Sequence, residues 1–596
     1  MNMQRKNEKG KTFENEVADI YRMLGYEVVQ NVYICGKKVD IYATRSIPLT
    51  ENKARIIIEC KNWKNKAVGN KLILQFKGLI DIAREADKAD YAVFVTSGNY
   101  SDYAFDIAEK AKLKLLTYNQ LLSKLVDFTQ NLKLYIDDFE RGPLFKNYIS
   151  LNFCKLEDEA NVERIKVEKY IEEWLKSKSS NYIAILADYG MGKTSLCKYF
   201  TYNQAKKYLN DPENERIPIL INLKEFYRRF EIEAMVTNFL VNRCGISTNY
   251  MIFRKLLQLG KAVVILDGFD EMAQQVDREV RKKNFEALAE LALPNNKIII
   301  TGRPNYFVNK EEMEEILNRK KEDDIYKQIA RELKNKPMYE IIYLRLFNEK
   351  QIDQFLEKQS LCISNTNNSD LIEIKETIDK IYNLTELVKR PFLLDMVIKS
   401  ISKIKGKVKK INAGKLYDIF TSAWLDREYE KGEFRNLIKR DDKKFFIQEL
   451  AWQMAVADKL QIHYSNLSDK IKRHFKLERM EDIDYFSSDI QLCSYLNRDD
   501  DGNYKFIHKS FQEFFVAMKL LDDIKKGDIS SFSEMSLSPE ISDFFADLLD
   551  ENTLGRIFHL LKSKDNIFFS KVITKKTLLH TLASKKLETS FHSCKS

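Results

Sequence analysis

Two clusters of residues have the types and spacing that chemistry requires. In the stretch IIIECKNW, Glu59 and Lys61 lie two positions apart, so they share one face of an extended strand. The three isoleucines before them are typical of a strand that is buried on both faces. Asp40 ends the preceding stretch KKVD. Carboxylates that meet at neighbouring strand ends form an oxygen site suited to Mg²⁺, so the sequence predicts a metal site here.

The chemistry expected of this first cluster is phosphodiester hydrolysis. A metal held by Asp40 and Glu59 would activate water and stabilise the charge that builds on the phosphate. Lys61 would orient that water or help to deprotonate it, whereas Cys60 would face the other way and offer only its carbonyl. Because 31% of the chain is charged, the pattern alone is also compatible with a salt-bridged cluster at strand ends.

The second cluster is ADYGMGKT, which follows an apolar strand and precedes a helix, the context that a phosphate-binding loop requires. Gly190 and Gly192 would let main-chain amides approach the phosphates. Lys193 would contact the β and γ phosphates, and the hydroxyl of Thr194 would bind Mg²⁺. The first residue, Ala187, stands where the usual pattern has glycine.

A second apolar strand, VVILDGFDE, supplies acidic partners for this loop. Asp267 would complete the magnesium shell, and Asp270 and Glu271 would orient or deprotonate the attacking water. Met191 and Ser195, in the loop and at the helix start, are expected to contact the nucleotide as well. The loop and its acidic partner together predict binding of ATP and ADP with Mg²⁺.

The elements that must position these residues differ along the chain. Residues 1–128 alternate in the order α-β-β-β-α-β-α-β-α, which indicates a mixed sheet covered by helices. Residues 129–180 read as a helical connector. Four apolar runs within 181–310 predict a parallel α/β core. The rest of the chain is expected to be mainly helical, so the fold class is an α/β multidomain protein.

Composition limits the classes of function. Hydrophobic residues make up 44% of the 596 residues, which supports several packed cores and excludes a disordered chain. The net charge of +10 suits an anionic partner such as nucleic acid, although a lysine-rich composition is an alternative cause. Eight scattered cysteines fit neither a disulfide framework nor a zinc site and favour a reducing cytoplasm. We expect no membrane span, because no apolar run approaches about 18 residues.

Four motifs in the order GMGKT, ILDGFDEM, TGRP and FIHKSFQEFF resemble the NACHT branch of STAND ATPases over about 180–520. The resemblance implies that Arg303 senses the γ-phosphate and that Pro391 lines the adenine pocket. It also implies that His508 contacts the β-phosphate of ADP. Pro391 is equally compatible with the first turn of a helix, and His508 with a buried structural histidine.

The same resemblance implies a domain order and a switch. We expect a helical NACHT-associated region over 311–410, a winged-helix domain over 411–520 and a short helical region over 521–596. In this family ADP holds a closed monomer. A trigger permits exchange for ATP, and the opened chain forms a homo-oligomer.

The N-terminal segment resembles the Mrr-type subgroup of restriction-endonuclease-like nucleases over about 1–125. The motifs that carry the resemblance are GKTFENEVADIYRMLGYEV, VDIYA, IIIECKNW and LQFKG. It implies a PD-(D/E)xK nuclease domain over 1–128 with Glu14 as an accessory acid. The implied catalytic residues are Asp40, Glu59, Lys61, Glu14 and Gln75.

The combined interpretation is an antiphage protein of bacterial innate immunity, in which a NACHT ATPase activates a Mg²⁺-dependent DNA endonuclease. DNA and a phage-derived or cellular trigger are the expected partners. Two alternatives stay open. The ATPase could be a motor of a restriction enzyme that reads modified DNA, which predicts fast, DNA-stimulated hydrolysis. The chain could also be a signalling adaptor with an inert nuclease fold.

Overall fold

The structure is a computed structural model of the chain. Its described residues form three sheets with helices around them, which confirms the predicted α/β multidomain class. The description covers residues 2–557 except for the segments 48–49, 65, 156–165, 178–179, 224–230, 247, 273–282, 285–286, 294, 305–338, 363–367, 382, 405–411, 431–437, 480–481, 484–485, 488–489, 491–494, 499–501, 529, 536, 551 and 554.

The chain divides into two compact units. The first unit contains residues 1–137 together with 204–217 and 233–262, and the second contains the remaining described residues. The two shorter segments of the first unit belong to the stretch that the sequence assigned to the nucleotide-binding core. The predicted domain boundaries therefore stay predictions.

The first unit contains a five-stranded sheet in the order β1-β2-β3-β4-β5. Strands β1 to β3 pair antiparallel, and β3 to β5 pair parallel. The order of elements is the one predicted for this segment. These elements are α1 (Asn2–Met23), β1 (Glu27–Ile34), β2 (Lys37–Ser46), β3 (Lys53–Lys61), α2 (Asn70–Glu85), β4 (Tyr91–Thr96), α3 (Asp102–Lys110), β5 (Lys114–Thr117) and α4 (Tyr118–Leu122).

Local sequence explains these elements. Ile56, Ile57 and Ile58 are all buried, as expected for a central strand covered on both faces. The β1–β2 turn consists of Cys35 and Gly36, whose φ angles of 50° and 77° are the positive values that a two-residue hairpin turn requires. Helix α2 buries apolar residues at helical spacing, so one face packs on the sheet and the other faces solvent.

The second unit contains a six-stranded sheet in the order β6-β11-β7-β10-β9-β8. Strands β11, β7, β10 and β9 pair parallel, and β6 pairs antiparallel with β11. The four strands predicted from apolar runs are β7 to β10, and their presence is confirmed. The bounds are β6 (Phe153–Lys155), β7 (Tyr182–Leu186), β8 (Ile217–Asn222), β9 (Ala262–Asp267), β10 (Lys297–Gly302) and β11 (Glu340–Leu344).

Two of these strands occur where helix was expected. Strand β6 lies in the expected helical connector, and β11 lies in the region expected to be helical after residue 310. Both are short, and periodicity cannot separate a short buried strand from a helical segment. The helices between residues 129 and 272 are α5 (Thr129–Arg141), α6 (Pro143–Asn147), α7 (Val167–Lys176), α8 (Lys193–Asn210), α9 (Ile232–Thr237), a π-helix (Asn238–Arg243), α10 (Tyr250–Gln258) and α11 (Phe269–Met272).

The C-terminal part is mainly helical and includes a three-stranded antiparallel sheet in the order β12-β14-β13. This small sheet lies in the segment 411–520 that was predicted to be a winged-helix domain, and we call the sheet with its flanking helices the winged-helix element. Residues 558–596 lie outside the described residues. The bounds are α12 (Glu349–Cys362), α13 (Asn368–Lys380), α14 (Leu384–Leu387), α15 (Pro391–Ile404), α16 (Ala413–Glu430), α17 (Arg440–Val456), β12 (Gln461–His463), α18 (Tyr464–Phe475), β13 (Leu496–Arg498), β14 (Asn503–Phe506), α19 (Lys509–Lys526), α20 (Ser531–Glu534) and α21 (Pro539–Leu548).

Two expectations from composition can be compared with the structure. None of the helices in the described part of the chain is both long enough and apolar enough to cross a bilayer. Within that part, the cysteines at positions 35, 60, 154, 197 and 244 are free thiols, in line with the absence of a disulfide framework from the sequence.

The loops after β3 and β4 are held together, and Gly98 permits their close approach. A Cβ atom at Gly98 would lie 2.0 Å from the backbone oxygen of Trp63. Gly98→Ala is therefore expected to destabilise the first unit by about 1–3 kcal/mol, as overpacking commonly does. The effect is measured on the full-length chain as it is heated, by the temperature at which residues 1–125 become susceptible to limited proteolysis.

The matched control for this substitution is Gly78→Ala in α2. A Cβ atom at Gly78 has no atom within 4 Å, so the substitution removes only the helix penalty of glycine, roughly 1 kcal/mol. We expect this variant to melt at or above the wild-type temperature. Equal stability of the Gly98→Ala and Gly78→Ala variants would contradict the close packing at Trp63.

Candidate functional site

The first candidate site lies where β2 and β3 cease to pair. Residue pairing in this antiparallel ladder ends at Ile41 and Ile58. Beyond this pair, the amide of Cys60, two positions after Ile58, donates a hydrogen bond of 2.8 Å to Oδ2 of Asp40, one position before Ile41. The Asp40 side chain thus takes the place of a ladder bond. Asp40 is the fourth residue of β2, so it lies where β2 and β3 stop pairing and not at the predicted strand end.

Glu59 and Lys61 complete this cluster on the adjacent strand. Nζ of Lys61 lies 2.6 Å from Oε1 of Glu59 and 3.9 Å from Oδ2 of Asp40. It also donates to the carbonyl oxygen of Cys60 at 3.1 Å. Three of the predicted catalytic side chains are therefore together, and Cys60 contributes its carbonyl while its side chain is buried, as expected.

The cluster contains more carboxylates than lysines, and this excess of negative charge shifts the pKa values of its members. Burial, together with the charge of Asp40, raises the pKa of Glu59 above its ordinary value, even though Lys61 opposes this. Burial and Asp40 also raise the pKa of Glu14 on α1, which shows that this accessory acid lies within electrostatic range. Burial alone would lower the pKa of Lys61, but Glu59 and Asp40 raise it. Lys61 is therefore protonated at neutral pH.

Gln75 lies on α2, where its side chain is exposed. No hydrogen bond or ion pair joins it to the Asp40 cluster within the part of the chain that the structure describes. Its predicted catalytic role stays a prediction.

The donor set of the cluster fits a magnesium ion. Among the described residues, no three His, Cys, Asp or Glu side chains form a metal site by themselves. Mg²⁺ is commonly held by one or two carboxylates and keeps water or phosphate oxygens as its other ligands. Asp40 and Glu59 provide two such carboxylates, and a cation would relieve the repulsion that raises the pKa of Glu59.

The second candidate site lies at the carboxyl end of β7, in the second unit. Gly190 and Gly192 have φ angles of 75° and 93°, a region that disfavours other residues. At Gly190 a side chain would also meet Phe392, whose Cβ lies 2.9 Å from the position of an added Cβ atom. The amide of Phe392 donates to the Gly190 carbonyl at 3.1 Å. The loop therefore has the conformation of a phosphate-binding loop, and Phe392 supports it.

Lys193 begins α8 and folds back over this loop. Its Nζ donates to the carbonyl oxygens of Ala187 and Asp188, the latter at 3.2 Å. Burial lowers the pKa of Lys193, and Asp270 opposes the shift. An ammonium removed from water is stabilised by an anion, so this environment suits a nucleotide phosphate.

The predicted acidic residues lie on the neighbouring strand. Asp267 ends β9 and is buried, and Thr301 of β10 donates to its Oδ1 at 2.7 Å. Asp270 is buried in an ion pair with Arg303, with 2.9 Å between Oδ2 and Nε. The guanidinium of Arg303 also lies 4.9 Å from the ring centroid of Tyr189. The side chain of Glu271 lies outside the described residues.

Residues of the C-terminal part contact this site. Asn497 of β13 donates to Oδ2 of Asp188 at 2.7 Å, beside the phosphate loop. Arg498 donates to the carbonyl of Pro304 at 3.1 Å, next to Arg303. These contacts connect the winged-helix element to both the phosphate loop and the predicted sensor.

His508 has a structural role that the sequence left open. It is the N-cap of α19, and its Nδ1 accepts from the amide of Ser510 at 3.2 Å. An imidazole that accepts at Nδ1 carries its neutral-state proton on Nε2, which leaves Nε2 as a donor. Burial lowers the pKa of His508, with Arg390 contributing. The capping function does not compete with a phosphate contact through Nε2.

The remaining residues predicted to bind the nucleotide lie in the phosphate loop or at helix starts. Thr194 is exposed on the first turn of α8, next to the partly buried Ser195, and Met191 is buried in the loop. Pro391 begins α15, the helix-start role that was its alternative. Its predicted contact with adenine stays a prediction.

Sequence reasoning missed Thr301, Asn497 and Phe392. Thr301 lies two positions before Arg303 in TGRP, so that motif already contained its signal. Asn497 and Phe392 carried none, because both act through contacts between segments far apart in the chain.

Comparison with known families gives two matches. Residues 5–125 match the family described as restriction endonuclease, with its Mrr catalytic domain, and residues 181–359 match the NACHT domain family. The chain joins a restriction endonuclease domain to a NACHT domain. The restriction endonuclease match includes the Asp40 cluster, and the NACHT match includes the phosphate loop and Arg303.

Individual relatives are more distant. An uncharacterized WD repeat-containing protein, alr3466, of Nostoc sp. (strain PCC 7120) is 27% identical over 460 residues, which are 73% of this chain and 29% of that protein. The chain therefore spans less than a third of that relative.

Among solved structures, the Walker-type ATPase paby2304 of Pyrococcus abyssi is 17% identical, with a TM-score of 0.34, and the match covers 62% of this chain and 99% of that one. The ORC2 protein of Aeropyrum pernix is 10% identical, with a TM-score of 0.32, and the match covers 61% and 93%.

The raised pKa of Glu59 leads to a stability prediction. The folded state binds this proton more tightly than the unfolded chain does, so stability present below the ordinary pKa of 4.5 is lost as pH rises through the folded pKa. Glu59→Gln mimics the protonated form and should raise the melting temperature in EDTA at neutral pH. The difference should disappear when the pH falls below 4.5.

Asp90→Asn is the control of opposite sign. Hydrogen bonds from Arg55 lower the pKa of Asp90, so its contribution to stability is present at neutral pH and lost on acidification. This variant should melt lower than wild type at neutral pH. A Glu59→Gln protein that also melts lower there would refute the desolvated carboxylate cluster.

Proposed function

We propose that the protein is an antiphage defence nuclease controlled by a nucleotide switch. ATP binding by the NACHT domain and the resulting oligomerisation would activate the N-terminal Mg²⁺-dependent DNA endonuclease. A phage-derived or cellular trigger would start this change in the cytoplasm. The main observation in support is the Asp40, Glu59 and Lys61 cluster, in which a charged set of the right chemistry is held where β2 and β3 stop pairing.

The nuclease residues have separable roles in this proposal. Asp40, fixed by the Cys60 amide, and Glu59 would hold a magnesium ion. Such an ion would supply an activated water and a positive charge beside the scissile phosphate. Lys61 is protonated, so it orients the water or stabilises the phosphate charge and does not act as the base. Lys66, stacked 4.9 Å over the Trp63 ring, is suited to contact DNA phosphates beside this site.

The nucleotide site supports a switch through its contacts with the winged-helix element. The hydrogen bond between Asn497 and Asp188 ties that element to the phosphate loop. The Asp270–Arg303 pair keeps a charged sensor buried, and the contact of Arg498 with Pro304 lies beside it. Nucleotide exchange would change the balance of charge at Lys193 and Arg303. In this way the phosphate state of the nucleotide would bias contacts of the winged-helix element.

The first test separates cleavage from nucleotide binding. Asp40→Ala, Glu59→Ala or Lys61→Ala should lower the Mg²⁺-dependent cleavage of plasmid DNA by at least roughly a hundredfold, the scale on which single catalytic groups act. Each variant should bind ATP and ADP as wild type does. Lys193→Ala should show the reverse pattern, with nucleotide binding lost and the metal cluster intact.

Cleavage is measured with purified full-length protein in ADP and in a slowly hydrolysed ATP analogue, alongside the oligomeric state. Wild-type cleavage rates in the Glu59→Ala protein would end the nuclease proposal. Fast ATP hydrolysis that DNA stimulates would contradict the switch, because a switch needs only slow turnover to reset.

The second test concerns His508 and compares two substitutions. His508→Asn keeps a side-chain acceptor for the cap of α19 but removes the Nε2 donor, whereas His508→Leu removes both. We expect His508→Asn to weaken ADP binding by roughly tenfold or more, because a hydrogen bond to a charged group contributes about 1.5–3 kcal/mol. Its melting temperature should stay near that of wild type.

Weaker ADP binding should also raise the open fraction, so His508→Asn should cause toxicity on expression that Glu59→Ala relieves. His508→Leu should share the ADP defect and melt lower as well. Wild-type ADP affinity in the His508→Asn protein would show that His508 acts only as a helix cap.

A further inference from the structure

Helix α2 of the nuclease unit has an exposed face that its own fold does not explain. Leu74 and Ile82 are 51% and 44% exposed, and Gly78 lies between them on the same face. The face opposite is the one that packs on the sheet. Two large apolar side chains one turn on either side of an exposed glycine are an unusual solvent surface for a helix.

Gly78 is the least expected member of this face. Glycine inside a helix costs about 1 kcal/mol relative to alanine. A Cβ atom at this position would meet no atom within 4 Å, so nothing in the described chain requires its absence. The lack of a Cβ atom lets a second backbone approach closely at such a position.

The charges on the same face are self-complementary. Lys71 and Glu85 are each seven residues from Gly78, and Leu74 and Ile82 are each four residues from it. At 100° per residue, these positions lie in one narrow stripe. If the α2 helix of a second copy crossed antiparallel at Gly78, Lys71 of each copy would face Glu85 of the other. Leu74 of each copy would likewise face Ile82 of the other. A two-fold interface requires this kind of pattern.

We propose that α2 is the surface through which two copies of the nuclease unit pair, with Gly78 on the two-fold axis. This inference rests on the proposed function, because paired nuclease sites are what a double-strand break needs. Lys71, Leu74, Gly78, Ile82 and Glu85 form the α2 stripe. It contains none of the metal-binding residues, so it can be tested without cleavage.

The test is cysteine crosslinking of the full-length chain without DNA or Mg²⁺, in a slowly hydrolysed ATP analogue and over a range of concentrations. Gly78→Cys should crosslink two chains through a short bis-maleimide. Asp106→Cys, exposed on α3 and outside the stripe, is the matched control, and the wild-type chain with its eight cysteines sets the background. Crosslinking of Gly78→Cys no greater than that of Asp106→Cys overturns the proposal.

Charge reversal then tests the antiparallel register. In the Gly78→Cys chain, Lys71→Glu or Glu85→Lys should each lower the yield by roughly tenfold, because each reversal turns two symmetry-related attractions into repulsions. The double reversal Lys71→Glu with Glu85→Lys should restore it. Restoration also separates pairing from a phosphate contact of Lys71, which a glutamate could not replace.

Two other results would overturn the inference. A crosslink within one chain would show that a segment of the same chain occupies the stripe. Failure of the double reversal to restore the yield would exclude the antiparallel pairing. Because DNA and metal are absent, neither result bears on cleavage, and loss of cleavage in Glu59→Ala would still stand as evidence for the nuclease.

Discussion

Charge at the ends of buried strands is the constraint on which both sites depend. A sheet covered by helices holds its strand ends rigidly but also removes them from water, where an unbalanced charge is costly. In the nuclease unit, the carboxylates outweigh Lys61, and the pKa of Glu59 is raised as a result. In the NACHT domain, Lys193 is the desolvated group and its pKa is lowered. The first site therefore favours a cation, and the second favours an anion.

The same constraint makes the nucleotide site suitable for a switch. Asp270 and Arg303 are buried, and their opposite charges neutralise each other. A ligand that attracts Arg303 would therefore leave the buried charge of Asp270 without its counter-ion. The side chain of Asp188 accepts a hydrogen bond from Asn497 of the winged-helix element, and its backbone carbonyl accepts one from Lys193. A phosphate that attracted Lys193 would remove its hydrogen bond to Asp188, the residue that contacts the winged-helix element. Coupling between ligand and element then needs no long pathway, because one loop takes part in both.

The sequence was sufficient for much of this arrangement, for identifiable reasons. Strand β3 and the four strands β7 to β10 contain apolar runs, so their existence could be predicted. The charged residues that end β3 and β9, Lys61 and Asp267, could be read from the same runs. Strand β11 could not, because a run of five residues is too short to show a period of its own. Asp40 could be predicted as an acid beside Glu59, but neither its position inside β2 nor its hydrogen bond from the Cys60 amide could, because both depend on where β2 and β3 stop pairing. The contact of Asn497 with Asp188 joins residues 309 positions apart, and no local pattern records it.

A weak pairing surface on α2 is consistent with a switch, and a strong one would not be. Fully burying a Leu or Ile side chain contributes about 1.5–3 kcal/mol, and the two in the α2 stripe are already half covered. The stripe therefore gains only a few kcal/mol on pairing, whereas association of free proteins costs about 4–15 kcal/mol. Free chains at cellular concentration would stay apart and their nuclease sites unpaired. Once an oligomer tethers the units, the effective concentration reaches about the millimolar range, and the same small gain is sufficient. The weakness of the surface is what would make nuclease activity depend on the NACHT domain.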